Sequence, residues 1–284
     1  MADVVILDGA WGTELQARGL AAGECPDEWN LSHPDEVTSV GAAYADAGSQ
    51  IILTNTFRSN RIALAGYGLA HRAVELNTAG VQHSKRAAAG RARVFGSVGP
   101  SGKVLAAGET SESALREAFE EQVDAMAAAG AEGIVIETMS EPAEAEIAIA
   151  AARRTGLTIV ASMAYDAGRK RDRTMTGATP EQAAVRLSDA GADIIGANCG
   201  CGIELYVGIA ARLRAATDKP IWIKANAGLP EMVDGQTRYS MGPDEFAGHA
   251  RALRDAGVTY IGGCCGTNPE FIRALWRGLQ SAAF

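Results

Sequence analysis

The stretch GIVIETMSEPAEAEIAIAAARRTGLTIVASM, residues 133–163, contains the unit from which the fold is built. It begins with a β-branched run from Gly133 to Thr138 and continues with an Ala-rich segment of helical period from Pro142 to Arg154. A second β-branched run follows from Leu157 to Met163. A strand, a helix and a strand in this order are typical of a parallel βαβ unit, because parallel strands need a long crossover connection.

The same alternation extends through the chain in both directions. Eight β-branched runs are present, at Val4–Gly9, Gln50–Thr56, Arg93–Pro100, Gly133–Thr138, Leu157–Met163, Asp193–Cys199, Pro220–Asn226 and Tyr260–Cys265. Helical patterns lie between them at Asp35–Ala47, Arg72–Ala89, Ser113–Ala129, Pro142–Arg154, Pro180–Ala190, Ile203–Ala216 and Pro243–Ala256. Units spaced by roughly 30 to 40 residues predict an α/β protein with one closed (β/α)8 barrel, the TIM-barrel fold. We expect residues 1–284 to form this single domain.

An open doubly wound sheet is the alternative architecture. Its dinucleotide-binding form carries the glycine pattern G-x-G-x-x-G directly after the first strand. Here the first strand is followed by DGAWGTE, residues 8–14, in which glycines 9 and 12 do not give that spacing. The sequence therefore favours the barrel.

Composition and charge narrow the class of protein. The 284 residues are 47% hydrophobic and carry a formal net charge of −8, which opposes the electrostatic attraction that nucleic-acid binding needs. The basic cluster GRKRDR, residues 168–173, is interpreted as a solvated loop. No run reaches the roughly 18 apolar residues of a membrane span, and no signal-peptide pattern is present. Five unevenly placed cysteines do not fit a secreted disulfide framework, so we expect a soluble, cytoplasmic protein without nucleic-acid or membrane partners.

Polar residues close most of the predicted strands. The active site of a barrel lies at the C-terminal ends of its strands, so these residues are candidate site walls. They are Asp8, Asn55, Thr56, Glu137, Thr138, Asn198, Cys199, Asn226, Cys264 and Cys265. The three cysteines end the sixth and eighth strands, which lie two places apart on one rim and can bring their thiols together.

Spacing alone leaves three interpretations of these cysteines. They can bind a metal, pack as small hydrophobic residues, or form a strained disulfide between the adjacent Cys264 and Cys265. The third metal ligand is also open between Cys199 and Cys201. Cys199 is favoured because it directly closes its strand.

Six stretches around these residues form a recognisable set. They are LDGAWGTEL (7–15), ILTNTF (52–57), VIETMSEPAEA (135–145), GANCG (196–200), NAGLP (226–230) and GGCCGTNPEFI (262–272). The set resembles the homocysteine S-methyltransferase family over essentially the whole chain, and is most similar to the homocysteine-binding module of cobalamin-dependent methionine synthase. The resemblance implies a zinc-dependent (β/α)8 barrel with Zn2+ at the C-terminal ends of the strands, held by Cys199, Cys264 and Cys265.

Three thiolate ligands restrict the chemistry of such a zinc ion. A tetrahedral zinc with three protein ligands keeps its fourth position for water or substrate. The glycines at 262, 263 and 266 let the backbone bend until two successive sulfurs face one ion. Three thiolates give the centre a formal charge of −1, which suits a substrate thiol better than it suits the activation of water. The donor set thus favours alkyl transfer to sulfur over hydrolysis.

The resemblance also implies roles in substrate binding. In the family, acids at the positions of Asp8 and Glu137 bind the amino group of homocysteine, whereas in a generic barrel such acids can equally cap helices. Backbone N–H groups near Gly9 are expected to meet the substrate carboxylate. Asn198 and Asn226 are expected to shape the rim by hydrogen bonding.

The sequence therefore predicts an enzyme that transfers a methyl group to the thiol of L-homocysteine and forms methionine. The expected donor is a small onium compound, S-methylmethionine, S-adenosylmethionine or a betaine, and Trp29 is expected to border it because aromatic faces attract such cations. The alternative donor is a separate methyl-corrinoid protein, since one barrel leaves no room for cobalamin or folate modules. More distant alternatives are a catalytically silent zinc- or thiol-binding protein and a metal-free hydrolase with Glu137 and Asp8 as acid and base.

Overall fold

The computed structural model describes residues 4–233 and 236–280, and in these residues eight strands form one parallel sheet. The strands of the described chain are β1 (Val5–Ile6), β2 (Ile51–Leu53), β3 (Arg93–Val98), β4 (Gly133–Met139), β5 (Thr158–Met163), β6 (Ile194–Gly202), β7 (Ile221–Asn226), β8 (Pro230–Val233), β9 (Gln236–Tyr239) and β10 (Tyr260–Gly263). The parallel sheet has the order β1-β10-β7-β6-β5-β4-β3-β2. Strands β8 and β9 form a separate antiparallel hairpin.

The two ends of this strand order meet. A parallel bridge joins Leu7 to Ile51. The Gln50 N–H donates to the Ile6 carbonyl oxygen at 2.7 Å, and the Ile6 N–H donates to Gln50 Oε1 at 2.9 Å. These contacts join β1 to β2 and confirm the predicted barrel.

Helices surround the barrel. In the described residues they are α1 (Trp11–Ala17), α2 (Trp29–Ser32), α3 (Pro34–Asp46), α4 (Arg61–Ala65), α5 (Ala73–Ala88), α6 (Glu112–Ala128), α7 (Pro142–Arg153), α8 (Pro180–Ala190), α9 (Ile203–Ala216), α10 (Pro243–Asp255) and α11 (Pro269–Gln280). Helix α8 shows how local sequence sets such bounds. Thr179 and Gln182 form a reciprocal capping box at its N-terminus, where Pro180 is the first helical residue. Gly191 ends the helix with φ 102°. The helices are all too short or too polar to cross a membrane within the described residues.

The strands separate two apolar regions. Alternate residues point into the barrel, where Leu7, Ile51, Leu53, Phe95, Val135, Val160, Ile194 and Trp222 form a closed inner cluster. The opposite faces pack against the helices in the larger core, as Ile134 and Ile136 do on either side of Val135. The interior of the barrel is thus filled by side chains.

The predicted elements agree closely with the structure. Each of the seven predicted helices begins and ends within one residue of its predicted bounds. The short helices α1, α2 and α4 and the hairpin of β8 and β9 were not predicted, because they fall outside the regular alternation. The last helix, α11, was not assigned a range, although it completes the eighth strand–helix unit. The hairpin follows β7 after three residues, and the Tyr239 ring lies against Gly266, next to Cys265.

Candidate active site

Three cysteine side chains meet at the C-terminal ends of β6 and β10. Within the described residues, the sulfur atoms of Cys199, Cys264 and Cys265 all lie within 4.8 Å of one another. No disulfide links any of the five cysteines. Cys201 is fully buried in the core and belongs to neither this cluster nor the cavity described below, so the geometry places Cys199 and not Cys201 beside the adjacent pair.

The spacing of the sulfurs can be compared with that of a metal site. Two sulfurs that each lie about 2.3 Å from a tetrahedral zinc lie about 3.8 Å from each other. The Cys199 and Cys265 sulfurs are 3.8 Å apart. Thiolate is also the ligand type that selects zinc over magnesium or calcium. The donor set therefore fits zinc.

The three clustered thiols need a nearby cation in order to lose their protons. The pKa of Cys199 is lowered by its hydrogen bond with Cys264, but the hydrogen bond with Cys265 and burial outweigh this and raise it to about 12. The pKa of Cys265 is lowered by Cys199, but the hydrogen bond and charge of Cys264 raise it to about 12. Contact with Cys199 and burial raise the pKa of Cys264 well above its ordinary value. The cluster thus favours protonated thiols unless a metal ion compensates their charge.

Close approach of the backbone at the cysteine pair explains two of its glycines. A Cβ at Gly262 would lie 2.6 Å from Leu7 Cβ and 2.7 Å from the Asp8 carbonyl oxygen. A Cβ at Gly263 would overlap the Thr267 side chain, whose hydroxyl donates to the Cys264 carbonyl oxygen at 2.7 Å. These glycines let β10 pack directly against β1, which places the two thiols next to the end of the first strand.

Buried charges lie beside the cysteines. The Lys224 ammonium donates to Asp8 Oδ1 at 2.5 Å, and the two side chains are 3% and 0% exposed. Asp8 Oδ2 accepts from Trp11 Nε1–H at 2.8 Å and from the Leu53 N–H at 2.7 Å. Burial alone would lower the pKa of Lys224, but Asp8 and Glu137 outweigh it and raise that pKa, so the lysine is charged. The sequence interpretation missed this lysine, although it occupies an inward position of β7.

Glu137 is the second buried acid of the site. Its Oε1 accepts from Ser97 Oγ at 2.5 Å, and its Oε2 has a longer contact of 3.4 Å with Asn198 Nδ2. Burial raises the pKa of Glu137, while Lys224 and Ser97 oppose the rise. Oε2 of Glu137 therefore has one long hydrogen bond among the described residues, and Glu137 forms part of the cavity wall.

Asn198 joins two strand ends at this rim. Its Oδ1 accepts from the Thr138 N–H at 2.8 Å and from Ser162 Oγ at 2.7 Å, and its Nδ2 donates to Thr138 Oγ1 at 2.7 Å. Asn226, at the end of β7, is buried, and its Oδ1 has no hydrogen-bond partner among the described residues. Asn198 therefore positions the strand ends, whereas Oδ1 of Asn226 accepts no hydrogen bond from the described residues.

A cavity of about 330 Å³ adjoins the three cysteines. Its walls include Gly9, Trp11, Asp27, Phe57, Arg58, Glu137, Thr138, Lys224, Cys199, Cys264 and Cys265. A larger hollow of about 770 Å³ lies elsewhere on the surface, between Glu141 and Arg186, and contains none of the cysteines. The smaller cavity is the candidate site because it unites the thiols with the buried charges.

Trp29 does not line this cavity. It lies in the short helix α2, is 5% exposed, and stacks on His33 with ring centroids 4.2 Å apart. The expectation that Trp29 borders a donor is therefore corrected, because α2 turns the ring away from the cavity and into the core. Trp11 and Phe57 supply the aromatic surface of the cavity instead.

Fold and cavity together define a (β/α)8 barrel with a thiol cluster at the C-terminal ends of its strands. The sequence profile of the homocysteine S-methyltransferase family matches residues 5–279. The chain belongs to this family.

Individual relatives differ in length. Methionine synthase of Mycobacterium tuberculosis is 30% identical over 288 residues, which cover 96% of this chain but 24% of that protein. Betaine–homocysteine S-methyltransferase 1 of Danio rerio is 30% identical over 301 residues, covering 98% of this chain and 74% of that protein. The chain thus spans about a quarter of the length of the methionine synthase that it matches.

Solved structures support the fold. The metallated homocysteine methyltransferase MmuM of Escherichia coli has a TM-score of 0.80 and 24% identity, with 96% of this chain and 95% of that chain covered. At this identity, the likeness supports the barrel architecture.

Proposed function

We propose that the protein is a zinc-dependent enzyme that methylates the thiol of L-homocysteine and forms methionine. The observation that carries the proposal is the cluster of Cys199, Cys264 and Cys265 at the wall of a cavity, in a barrel of this family. These residues would hold the metal. When bound, zinc would supply the positive charge that keeps a substrate sulfur in its nucleophilic thiolate form at neutral pH.

The chain's own residues orient the acceptor. The Oε2 of Glu137, which has one long contact among the described residues, is available to bind the substrate ammonium. The negative charge of Asp8 is already paired with Lys224. Gly9 lines the cavity, where its backbone can approach the substrate carboxylate. Asn198 and Asn226 shape the rim, Asn198 by holding Thr138 in place.

A small onium compound is the proposed methyl donor. The faces of Trp11 and Phe57 and the carboxylate of Asp27 line the cavity, and together they suit a sulfonium or quaternary ammonium cation. In the transfer, the acceptor sulfur forms a bond to the methyl carbon while the bond from that carbon to the onium centre breaks. The electron pair of the broken bond leaves with the donor, and the thiol proton is released to water.

A methyl-corrinoid protein is the second candidate donor. It is favoured by the similarity to methionine synthase of Mycobacterium tuberculosis, which extends over 96% of this chain. The two donors differ in size, since a small onium compound fits a cavity of about 330 Å³ whereas a corrinoid protein must dock at its mouth.

A donor panel tests the proposal. Zinc-loaded protein is incubated with homocysteine and, in turn, S-methylmethionine, S-adenosylmethionine, glycine betaine and a methyl-corrinoid, and methionine is measured. We expect turnover with one onium donor, loss of turnover in Cys264→Ser, and retention in the matched variant Cys201→Ser. Methionine formed with the corrinoid alone would select the second candidate, and no methionine with any donor would contradict the proposed function.

A further inference from the structure

Lys224 occupies an unusual place for a lysine. It lies in β7 between Ile223 and Ala225, both fully buried, and pairs in register with Asn198 on one side and Gly262 on the other. Because side chains alternate along a strand, Lys224 shares the inward face of β7 with Trp222, a member of the inner cluster. Its ammonium therefore lies inside the barrel, near the C-terminal ends of the strands.

The hydrogen bonds of Lys224 are incomplete. An ammonium has three N–H donors, and Asp8 Oδ1 is its one hydrogen-bond acceptor among the described residues. The side chain nevertheless lines the cavity together with Cys264 and Glu137. Two N–H donors of an ammonium that is 3% exposed are thus left at the wall of the site, where a buried donor without an acceptor is costly.

The same contacts restrict Asp8. Its two oxygens already accept from Lys224, from the Trp11 indole and from the Leu53 N–H. A carboxylate that is fully buried and holds an internal ammonium has little capacity left for the ammonium of a substrate. Lys224 takes the position that a substrate amino group would need in order to reach Asp8.

The other cation of the cavity lies farther out. Arg58 also lines the wall, but its side chain is exposed and its guanidinium contacts Tyr67 Oη at 3.3 Å. Lys224 pairs in register with Gly262, two residues before Cys264, and lines the same cavity as that cysteine. An anionic group on a thiol bound at the cysteines would therefore meet Lys224 before Arg58.

We propose that Lys224 binds the carboxylate of the thiol substrate and that Asp8 is the counter-ion that holds Lys224 in place. This inference rests on the proposed function and narrows its substrate class to thiol carboxylates, recognised through the carboxylate more strongly than through an amino group. Homocysteine belongs to this class, and so does its analogue without the amino group.

Three thiols test the inference on the zinc-loaded, full-length protein by calorimetry, and in each the polar groups are attached to the third carbon from the sulfur. They are homocysteine, 4-mercaptobutyrate, which lacks the amino group, and 3-mercaptopropylamine, which lacks the carboxylate. Loss of a hydrogen bond to a charged group should weaken 3-mercaptopropylamine by about tenfold to hundredfold relative to homocysteine. We expect 4-mercaptobutyrate to bind within about tenfold of homocysteine.

Variants assign the selectivity to Lys224. Lys224→Met should weaken the binding of both carboxylate thiols by about tenfold or more. It should change the affinity for 3-mercaptopropylamine by less than about threefold. Asp8→Asn removes the counter-ion but leaves an amide oxygen that can still accept from Lys224, so the carboxylate preference should persist. Because Lys224→Met leaves Asp8 buried without a counter-ion, the double variant Asp8→Asn/Lys224→Met, which removes both charges, should show the same loss of preference in a folded protein.

The outcomes separate this inference from the proposed function. Preferred binding of 3-mercaptopropylamine to wild type, or an equal loss of all three thiols in Lys224→Met and the double variant, would overturn the role of Lys224. Weakening of homocysteine but not of 4-mercaptobutyrate in Asp8→Asn would make Asp8 an ammonium ligand and also overturn it. Failure of every thiol to bind zinc-loaded wild type would overturn the proposed function itself.

Discussion

Cys199 reaches the other two cysteines from a backbone conformation that few side chains adopt. Its φ is 60°, and its carbonyl oxygen accepts a hydrogen bond from Tyr206 Oη at 2.5 Å. Thr138, on the same rim, has φ 58° and is held by Asn198. Such residues store strain of about 1 to 3 kcal/mol each, and they persist only where surrounding bonds hold them. The strain at this rim is the consequence of aiming side chains into one cavity.

Asp27 gives a pH-dependent prediction at this scale. The residue is 1% exposed, and burial raises its pKa to about 6, against the opposing hydrogen bonds from Ser59 Oγ and the Arg58 N–H. A carboxyl with a raised folded-state pKa contributes stability that is present below its unfolded pKa and is lost as pH rises through about 6. Asp27→Asn has no carboxyl group to titrate, so it should not lose this stability as pH rises. The free energy of unfolding of the variant minus that of wild type should therefore rise by up to about 3 kcal/mol between about pH 4 and pH 7.

Urea unfolding at several pH values measures this difference. The exposed Asp189→Asn serves as the matched control and should show no such rise. A flat difference between Asp27→Asn and wild type across this range would show that Asp27 is not held in the environment described here.

Some site residues were accessible from sequence and others were not. Cys264 and Cys265 were visible as an adjacent pair at a strand end, and the family resemblance selected Cys199 as their partner. Lys224 was missed because a single lysine in a β-branched run is compatible with a strand of either exposure. Its position could have been inferred from its two-residue spacing from Trp222 and Asn226, which puts all three side chains on one face of β7. Trp29 was misplaced because sequence does not show which way a short helix turns its ring.

At the scale of elements, the hairpin of β8 and β9 brings an aromatic ring to the cysteine pair. The Tyr239 ring lies against Gly266, directly after Cys265, and a Cβ at Gly266 would overlap that ring. Burial, followed by the charge of Cys265, raises the pKa of Tyr239, which is consistent with a ring that covers the thiol. The regular alternation of strands and helices predicts the barrel but not this hairpin, because an antiparallel pair inserted in a loop follows no repeat.

Gly266→Ala tests the role of the hairpin. Gly266 has φ 80°, and Gly156 has φ 70° with nothing within 4 Å of the position that a Cβ would occupy. Gly156→Ala should therefore lose about 1 to 2 kcal/mol of stability from backbone strain alone. Gly266→Ala should lose more, since it also displaces Tyr239, and it should release zinc to a chelator faster. Equal losses of stability and equal zinc release in the two variants would contradict this packing.

At the scale of the whole molecule, the core and the thiol cluster are separate. The inner cluster and the surrounding core contain none of Cys199, Cys264 and Cys265, although Cys201 is part of the core. The barrel is closed by backbone and side-chain bonds of Ile6, Leu7, Gln50 and Ile51, and none of these residues is a candidate metal ligand. We propose that residues 1–284 fold as one domain that stays folded without zinc.

Chelation provides the test at this scale. Removing the metal should leave the far-ultraviolet circular dichroism spectrum unchanged and lower the melting temperature only by the mass-action effect of a lost ligand. Unfolding should remain a single transition when followed by circular dichroism and by tryptophan fluorescence. Loss of helical signal on chelation, or two separate transitions, would contradict a barrel that folds as one unit around its own core.

The zinc content of matched cysteine variants tests the central claim most directly. Wild-type protein and the variants Cys199→Ser and Cys201→Ser are purified together, and zinc per chain is measured by elemental analysis alongside methionine formation. The geometry predicts about one zinc per chain in wild type and in Cys201→Ser, and loss of both zinc and methionine formation in Cys199→Ser. Retention of zinc and turnover in Cys199→Ser, with their loss in Cys201→Ser, would contradict the assignment of the metal to Cys199, Cys264 and Cys265.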